Sequence, residues 1–171
     1  MGFLQQLLFP NDDRKYFRML VDLSNQVSRG ATIFKDFVDT YEQLSDQERA
    51  QRTVDIKEME HRCDELSHII IMQLNKAEDV SHAATIHAAA SLLATIMDGI
   101  SAVSKRMILF GVAKPNDDLK QFALLVHNSC KELPQLMQQI HAPHRAHQTI
   151  TRIHGIEREA DYVHNIAMAS L

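Results

Sequence analysis

The sequence predicts an all-α fold, an antiparallel bundle of five long helices in a single domain spanning residues 1–171. Glycine and proline are scarce, with five and four residues, while strong helix formers such as Ala, Leu, Gln and Glu are abundant. Apolar residues recur at steps of three and four along most of the chain, and no segment alternates convincingly with period two. The breaks between these segments are short, which is typical of one helical domain without a linker.

The first helix is predicted by one unbroken stripe of apolar and small residues. The segment "PNDD" at 10–13 can cap its start. Its inward positions are Phe17, Leu20, Ser24, Val27, Ala31, Phe34, Val38 and Tyr41. Gly30 lies beside this stripe, where the missing side chain would permit two helices to cross closely.

The second helix is predicted to begin at "SDQE", because Ser45 and Glu48 have the spacing of a capping box, and to run to about Leu74. A short polar break at 75–81 separates it from a third helix. The inward positions of that helix are Ile86, Ala90, Leu93, Met97, Ile100, Val103, Met107 and Phe110. Gly111 can adopt the left-handed conformation that ends a helix.

The fourth helix is predicted to begin at "KPNDD", residues 114–118, and Pro134 is expected to kink it or end it early. Its inward positions are Phe122, Leu125, Val126, Cys130, Leu133 and Met137. The segment "HAPH" at 141–144 is the next break. The fifth helix then runs from about Arg145 to the C-terminus.

Charge, cysteine content and hydropathy limit the possible partners and the cellular compartment of this protein. The net charge is −4 with acids and bases interspersed, which argues against nucleic acid as a partner. Cys63 and Cys130 each fall among apolar residues, so buried thiols are favoured over a disulfide. No apolar run approaches the ~20 residues that cross a bilayer, and "MGFLQQLLF" lacks the features of a signal peptide. A cytoplasmic protein is the prediction.

One stretch of the second helix recurs in the fifth. "IKEMEHRCDEL" at 56–66 has a counterpart in "IHGIEREADYV" at 153–163, 97 residues further along. The offset aligns Ile56 with Ile153, Glu60 with Glu157, Asp64 with Asp161 and Ile69 with Ile166. A duplicated helical unit is therefore indicated.

The aligned acids form a Glu-x-x-x-Asp pair on each helix, and residues four apart share one helix face. Both pairs lie at the border of the apolar stripe, where like charges repel and lose hydration unless something positive lies between them. A multivalent cation would meet that need, and so would a Lys or Arg from a neighbouring helix. Alternatively, the pairs simply face solvent. Nearby His68 and His164 add to the metal hypothesis, because carboxylates and histidines on helices hold iron, zinc or manganese.

The residues at 56–76, "IKEMEHRCDELSHIIIMQLNK", resemble the first signature of the PhoU-like proteins. The likeness is strongest to the branch that accompanies Pit-type inorganic phosphate transporters, and it extends from about Phe3 to Leu171. It implies two duplicated three-helix units, the first at about 1–111 and an incomplete second at about 112–171. In the family, a Glu-x-x-x-Asp pair and acids on the third helix of each unit hold iron or zinc clusters.

Carried over by motif, the resemblance implies five metal-ligand candidates. They are Glu60, Asp64, Asp98, Glu157 and Asp161. The third helix departs from the family, because Ala94 and Thr95 replace two of its acids and Asp98 is the last one kept. His82 and His87 are the obvious substitutes there.

The family's sixth helix should follow "IEREADYVHNIAMASL", where this sequence ends. The open face of the fifth helix would then need another chain to cover it. We therefore expect a homo-oligomer.

The resemblance implies a non-enzymatic accessory or regulator of inorganic phosphate transport. Such a protein would dock on a Pit-type membrane phosphate transporter from the cytoplasm, peripheral at the inner face of the membrane. In agreement with this, the sequence contains no motif for a nucleophile elbow, a phosphate-binding glycine loop or a zinc protease.

Two other functions stay open. A metal-free protein-interaction module is favoured by the missing acids at 94 and 95. A ferritin-like di-iron protein is suggested by Glu58-x-x-His61 and Glu65-x-x-His68, which have the spacing that such sites use.

Overall fold

The computed structural model describes residues 11–77, 80–140 and 143–169, and the regular structure in these ranges is entirely helical. The α-helices are α1 (Asn11–Thr40), α2 (Asp46–Leu74), α3 (Ala83–Leu109), α4 (Asp117–Gln139) and α5 (Pro143–Ala169). A short 3-10 turn, Tyr41–Gln43, follows α1. The predicted all-α bundle of five long helices is confirmed for the described residues.

Helix α1 is the centre of the bundle, packing against α2, α3 and α4, whereas α5 packs mainly against α4. All eight inward positions predicted on α1 are buried. Its stripe of Leu, Val and Phe side chains is therefore enclosed by three neighbours, and full burial of each contributes about 1.5–3 kcal/mol. One continuous core joins α1, α2, α3 and α4.

The corner between α1 and α2 is fixed by the predicted capping box. The Ser45 hydroxyl accepts from the Glu48 backbone N–H, and the Glu48 carboxylate accepts from the Ser45 backbone N–H at 2.8 Å. Arg49, one turn into α2, donates to the Tyr41 carbonyl at 3.0 Å and lies 4.4 Å from the centroid of the Tyr41 ring. These contacts turn the chain back so that α2 runs antiparallel to α1.

Gly30 lies where α1 passes close to α3. A Cβ atom at this position would overlap Met97 Sδ and lie 2.8 Å from Met97 Cε. The close helix crossing that the sequence suggests at Gly30 is therefore present, and Met97 fills the space. Asp98, the next residue on α3, directly follows this contact in sequence.

Helix α3 ends as predicted. Gly111 has φ of +60°, its N–H donates to the Ile108 carbonyl, and the N–H of Val112 donates to the Met107 carbonyl, both at 3.0 Å. This is a Schellman motif. The prediction that Phe110 faces inward is wrong, since this residue lies beyond the last helical position and is 74% exposed.

Helix α4 begins at the predicted segment, where the Asn116 side chain accepts from the Leu119 backbone N–H at 3.0 Å. The helix continues through Pro134 to Gln139, so of the two outcomes predicted for this proline, a kink or an early end, the early end does not occur. Cys63 and Cys130 are both free and buried, in agreement with the sequence. Burial raises the pKa of each thiol to about 12, with a smaller contribution from Asp64 at Cys63.

Helix α3 has the length and composition of a helix that could cross a membrane. Its most apolar window has a mean hydropathy of 1.5, and 39% of that window is buried inside the fold. The helix packs against α1 and α2, however, which is the environment of a core helix in a bundle.

Some predicted boundaries fall outside the described residues. These are Pro10 of the first capping segment, Glu78 and Asp79 in the break before α3, and His141 and Ala142 before α5. Asn11 to Asp13 are already helical.

Candidate metal centre

Helix α2 presents three charged residues on the face that meets α3. Lys57, Glu60 and Asp64 follow one another at steps of three and four, so they lie on one side of the helix. Glu60 is adjacent in sequence to the core residue Met59, and only 5% of its surface is exposed. Burial of this carboxylate requires compensation by hydrogen bonds or positive charge.

Helix α3 presents a matching face. Asp98, Ser101 and Lys105 are also spaced by three and four residues. Because α2 and α3 run antiparallel, Asp64 meets Asp98, Glu60 meets Ser101, and Lys57 meets Lys105. We call these six residues the α2–α3 ladder; it is acidic at one end and basic at the other, and Glu60 lies in the middle.

The acidic end brings together three predicted ligands. One carboxylate oxygen from each of Glu60, Asp64 and Asp98 lies within 4.8 Å of the other two. Glu60 is buried, whereas Asp64 and Asp98 are exposed. The Glu60/Asp64 pair on α2 and Asp98 on α3 thus converge on one point at the edge of the core.

The pKa values of the two α2 acids move in opposite directions. Burial acts to raise the pKa of Glu60, but Lys57, the Ser101 hydroxyl and Lys105 outweigh it, and the pKa falls below its ordinary value. The pKa of Asp64 is raised by burial, then by the negative charges of Asp98 and Glu60. The ladder therefore stabilises an ionised Glu60 and opposes ionisation of Asp64, because the attraction of Lys57 and His61 for Asp64 is smaller than these opposing effects.

The basic end of the ladder holds Glu60. Lys57 Nζ contacts Glu60 Oε1, and Lys105 Nζ lies 3.7 Å from Glu60 Oε2. The buried Ser101 hydroxyl lies beside the same carboxylate, but neither this hydroxyl nor Glu60 Oε2 makes a hydrogen bond of good geometry among the described residues. The three converging carboxylates therefore fit an additional cation.

The geometry needs only a small adjustment to hold such an ion. Two oxygens bound to one ion at about 2.1 Å lie no more than about 4.2 Å apart. The exposed Asp64 and Asp98 side chains can close this difference by changing rotamer. The donor set is three carboxylates, which suits hard cations, with remaining positions open to solvent or another ligand.

The recurring Glu157/Asp161 pair is placed differently. Glu157 and Asp161 lie on the exposed part of α5, and the side chain of Glu157 is 63% exposed, compared with 6% for Glu60. The Glu157 carboxylate pairs with His154 Nδ1 at 3.0 Å on the same helix. Among the described residues, no third carboxylate, histidine or cysteine joins Glu157 and Asp161 in a cluster of metal-binding spacing.

The histidines proposed as substitutes on α3 lie away from the site. His82 precedes the first turn of α3, and its Nδ1 pairs with the fully buried Asp13 at 2.7 Å. His87 is exposed and lies 11 residues before Asp98, about 16 Å along the helix.

The residues that suggested a di-iron site face outward. Glu58, His61, Glu65 and His68 are all exposed on α2. Ferritin-like sites are built from residues that project inward from several helices, so the observed placement does not support this alternative.

Sequence reasoning named the three carboxylates of the ladder but missed its other three residues. The position of Lys57 one turn before Glu60 was a usable signal, since helix neighbours three apart interact. Ser101 and Lys105 carried no signal of their own, because only the packing of α3 against α2 brings them to Glu60.

No protein-family model matches this sequence, and no curated protein matches it.

Proposed function

We propose that this protein is a non-enzymatic, PhoU-like regulator of inorganic phosphate transport that binds a metal cation at Glu60, Asp64 and Asp98. The convergence of these three carboxylates carries the proposal, because they are the residues that the family signature selects in the first unit. The all-helical bundle is compatible with the family fold.

The packing of the helices supports a duplicated architecture. Helix α1 packs against α2, α4 packs against α5, and α1 and α4 pack against each other. The 97-residue offset relates α2 to α5, so the two helix pairs correspond. In this proposal α1, α2 and α3 form the complete unit, and α4 and α5 form two helices of the other.

Iron and zinc are the metals that the family resemblance implies. The all-oxygen donor set suits a hard cation, so iron fits these ligands better than zinc does, and manganese is a further candidate. In the regulator proposed here, the metal stabilises the contact between α2 and α3.

A partner surface for the transporter or for a second copy is suggested by apolar residues left open. A groove of about 760 Å³ between α3 and α4 is lined by residues such as Leu92, Ile96, Val103, Val126 and Leu133. Leu92 is 64% exposed. Open apolar surface of this kind is typical of association sites, which supports binding of the transporter or of a second copy of this chain.

Metal content tests the site. The protein should be purified without affinity-tag metals and measured by inductively coupled plasma mass spectrometry, alongside the Asp64→Asn/Asp98→Asn variant. We expect about one transition-metal ion per site in the wild type, and a much lower content in the variant. A wild-type protein without transition metal, even after incubation with Fe²⁺, Mn²⁺ or Zn²⁺, would contradict the metal assignment.

The transport function has its own test. Deletion of the gene in its native host should change the rate of radiolabelled phosphate uptake, and the tagged protein should co-purify with a Pit-type transporter. Complementation with the wild-type gene and with Asp64→Asn/Asp98→Asn separates loss of the metal from loss of the protein. Unchanged uptake together with no recovered transporter would refute the proposed function.

A metal-free interaction module is the second candidate, and the ladder itself favours it. Lys57 and Lys105 already supply positive charge to Glu60, so the folded protein does not require a metal to compensate this carboxylate. In that case the wild type contains no metal, yet the transporter is still recovered in the pull-down.

A further inference from the structure

Two lysines share the same carboxylate with the candidate cation. Lys57 on α2 contacts one oxygen of Glu60, and Lys105 on α3 lies 3.7 Å from the other. Their side chains are 34% and 48% exposed, so both ammonium groups are also open to solvent. A cation that binds Glu60 therefore competes with the ammonium groups of Lys57 and Lys105, which already contact or pair with this carboxylate.

We propose that Lys57 and Lys105, together with a cation held by Glu60, Asp64 and Asp98, form a binding site for a tetrahedral oxyanion. This inference rests on the cation site of the proposed function. It adds a second ligand of stated chemistry, one that binds only after the cation has occupied the carboxylates.

The charge count at the ladder supports the oxyanion. Three carboxylates and two ammonium groups leave one negative charge in excess when no metal is bound. A divalent ion reverses this excess to one positive charge, and a trivalent ion leaves two. An anion that bridges the metal and the lysines restores neutrality, whereas the same anion would meet an excess of negative charge before the metal binds.

The coordination geometry supports it as well. Three carboxylates that each give one oxygen leave three positions open on an octahedral ion. Since the metal and both ammonium groups contact the same Glu60 carboxylate, an oxyanion bound to the metal through one oxygen has its other oxygens within reach of the lysines. The buried Ser101 hydroxyl lies beside Glu60 in this arrangement and makes no hydrogen bond of good geometry among the described residues. The cluster therefore includes a buried hydroxyl with hydrogen-bonding capacity to spare, beyond its acidic residues alone.

The oxyanion and the cation should then each increase the affinity of the protein for the other, because coupling between binding sites is reciprocal. The oxyanion increases the affinity for the cation by engaging the ammonium groups that compete for Glu60. Removal of the lysines should abolish this increase in cation affinity without weakening cation binding in the absence of the oxyanion.

Free Mn²⁺ measured by electron paramagnetic resonance gives the test, with inorganic phosphate as the oxyanion probe. In the wild type, millimolar phosphate should increase Mn²⁺ affinity by about 10-fold, within the usual range of coupling between sites. The Lys57→Met/Lys105→Met variant should bind Mn²⁺ at least as tightly as the wild type without phosphate, and phosphate should have no effect on it. Arg106→Met is the matched control, since it removes a positive charge adjacent to Lys105 and should retain the phosphate effect.

Vesicles distinguish the source of the oxyanion. Phosphatidylcholine vesicles with and without phosphatidic acid are added in place of phosphate. Enhancement by phosphatidic acid alone, lost in the lysine variant, supports the oxyanion site with a lipid headgroup as ligand. Enhancement by inorganic phosphate supports it with the free anion as ligand.

The same measurements distinguish failure of the oxyanion site from failure of the cation site. Equal Mn²⁺ affinity with and without phosphate or phosphatidic acid in the wild type overturns this inference and leaves the cation site in place. Absence of Mn²⁺ binding in the wild type and in the lysine variant overturns the cation site together with it. Circular dichroism of each variant confirms that the comparison is made between folded proteins.

Discussion

The two Glu-x-x-x-Asp pairs have the same spacing and the same helical setting, yet they have different surroundings. Glu60 and Asp64 face α3, which supplies Asp98, Ser101 and Lys105, and Glu60 is buried there. Glu157 and Asp161 are exposed on α5, where the described partner of Glu157 is His154 on the same helix. Spacing along one helix therefore makes a pair of carboxylates, but a second packed helix is required to make a cluster.

The largest expected difference between the two pairs is in cation affinity. Glu60→Gln should weaken Mn²⁺ binding by at least ~100-fold, since loss of even a second-shell partner of a metal site typically costs 10–100-fold. Glu157→Gln should leave the affinity unchanged, because no described third ligand accompanies it. Isothermal titration calorimetry measures both.

Glu157→Gln/Asp161→Asn serves as the control with two charges removed. If this variant loses Mn²⁺ as completely as Glu60→Gln does, the contrast between the two pairs is incorrect.

The next effect concerns the packing that brings α3 to α2. Gly30→Val should lower the free energy of unfolding by about 1–3 kcal/mol, the usual cost of overpacking, because its side chain would displace Met97. The displacement should also weaken Mn²⁺ binding, since Asp98 follows Met97. Urea denaturation and the calorimetric titration measure the two consequences.

Gly99→Ala is the matched control for this prediction. Gly99 lies beside Asp98, but a Cβ there would meet nothing within 4 Å. The substitution should raise the free energy of unfolding by up to about 1 kcal/mol, through helix propensity, and should leave Mn²⁺ binding intact. Equal destabilisation by both substitutions would show that the Gly30–Met97 contact does not position α3.

The smallest effect is electrostatic. The pKa of Asp64 is raised in the folded protein, so the folded state retains this proton to a higher pH than the unfolded state does. Stability is therefore lost as the pH rises from the ordinary pKa through the folded one, and ionised Asp64 is unfavourable at neutral pH without metal. Asp64→Asn should raise the free energy of unfolding of the metal-free protein, by less than about 1 kcal/mol because Asp64 is exposed.

The gain from Asp64→Asn should disappear below a pH of about 4, where the carboxyl is protonated in both states. Asp161→Asn should change stability by less than about 0.5 kcal/mol at any pH, as is usual for an exposed position. Thermal unfolding between pH 3 and pH 7.5 in the presence of a chelator provides the measurement. A larger gain at Asp161 than at Asp64 would contradict the assignment of the repulsion to the ladder.

Local chemistry explains why much of the fold could be predicted from the sequence. The stripe on α1, the capping box at Ser45 and the left-handed Gly111 depend on residues within one or two turns of each other, and each is present as predicted. The error at Phe110 concerns a helix end, where one more or one fewer turn changes what a residue faces.

The candidate site also has some features that depend on local sequence and others that depend on how the helices pack. The sequence identifies Glu60, Asp64 and Asp98 as acids on helix faces, because side-chain spacing on a helix is a local property. It also places Glu157 and Asp161 in an equivalent register. Only the tertiary structure decides that the first three meet and that the other two are exposed, because the burial of Glu60 depends on the approach of α3. Gly30, which is distant from the ladder in sequence, permits α1 to lie close to α3, and the packing of α3 against α2 brings Ser101 and Lys105 to a carboxylate more than 40 residues earlier in the chain.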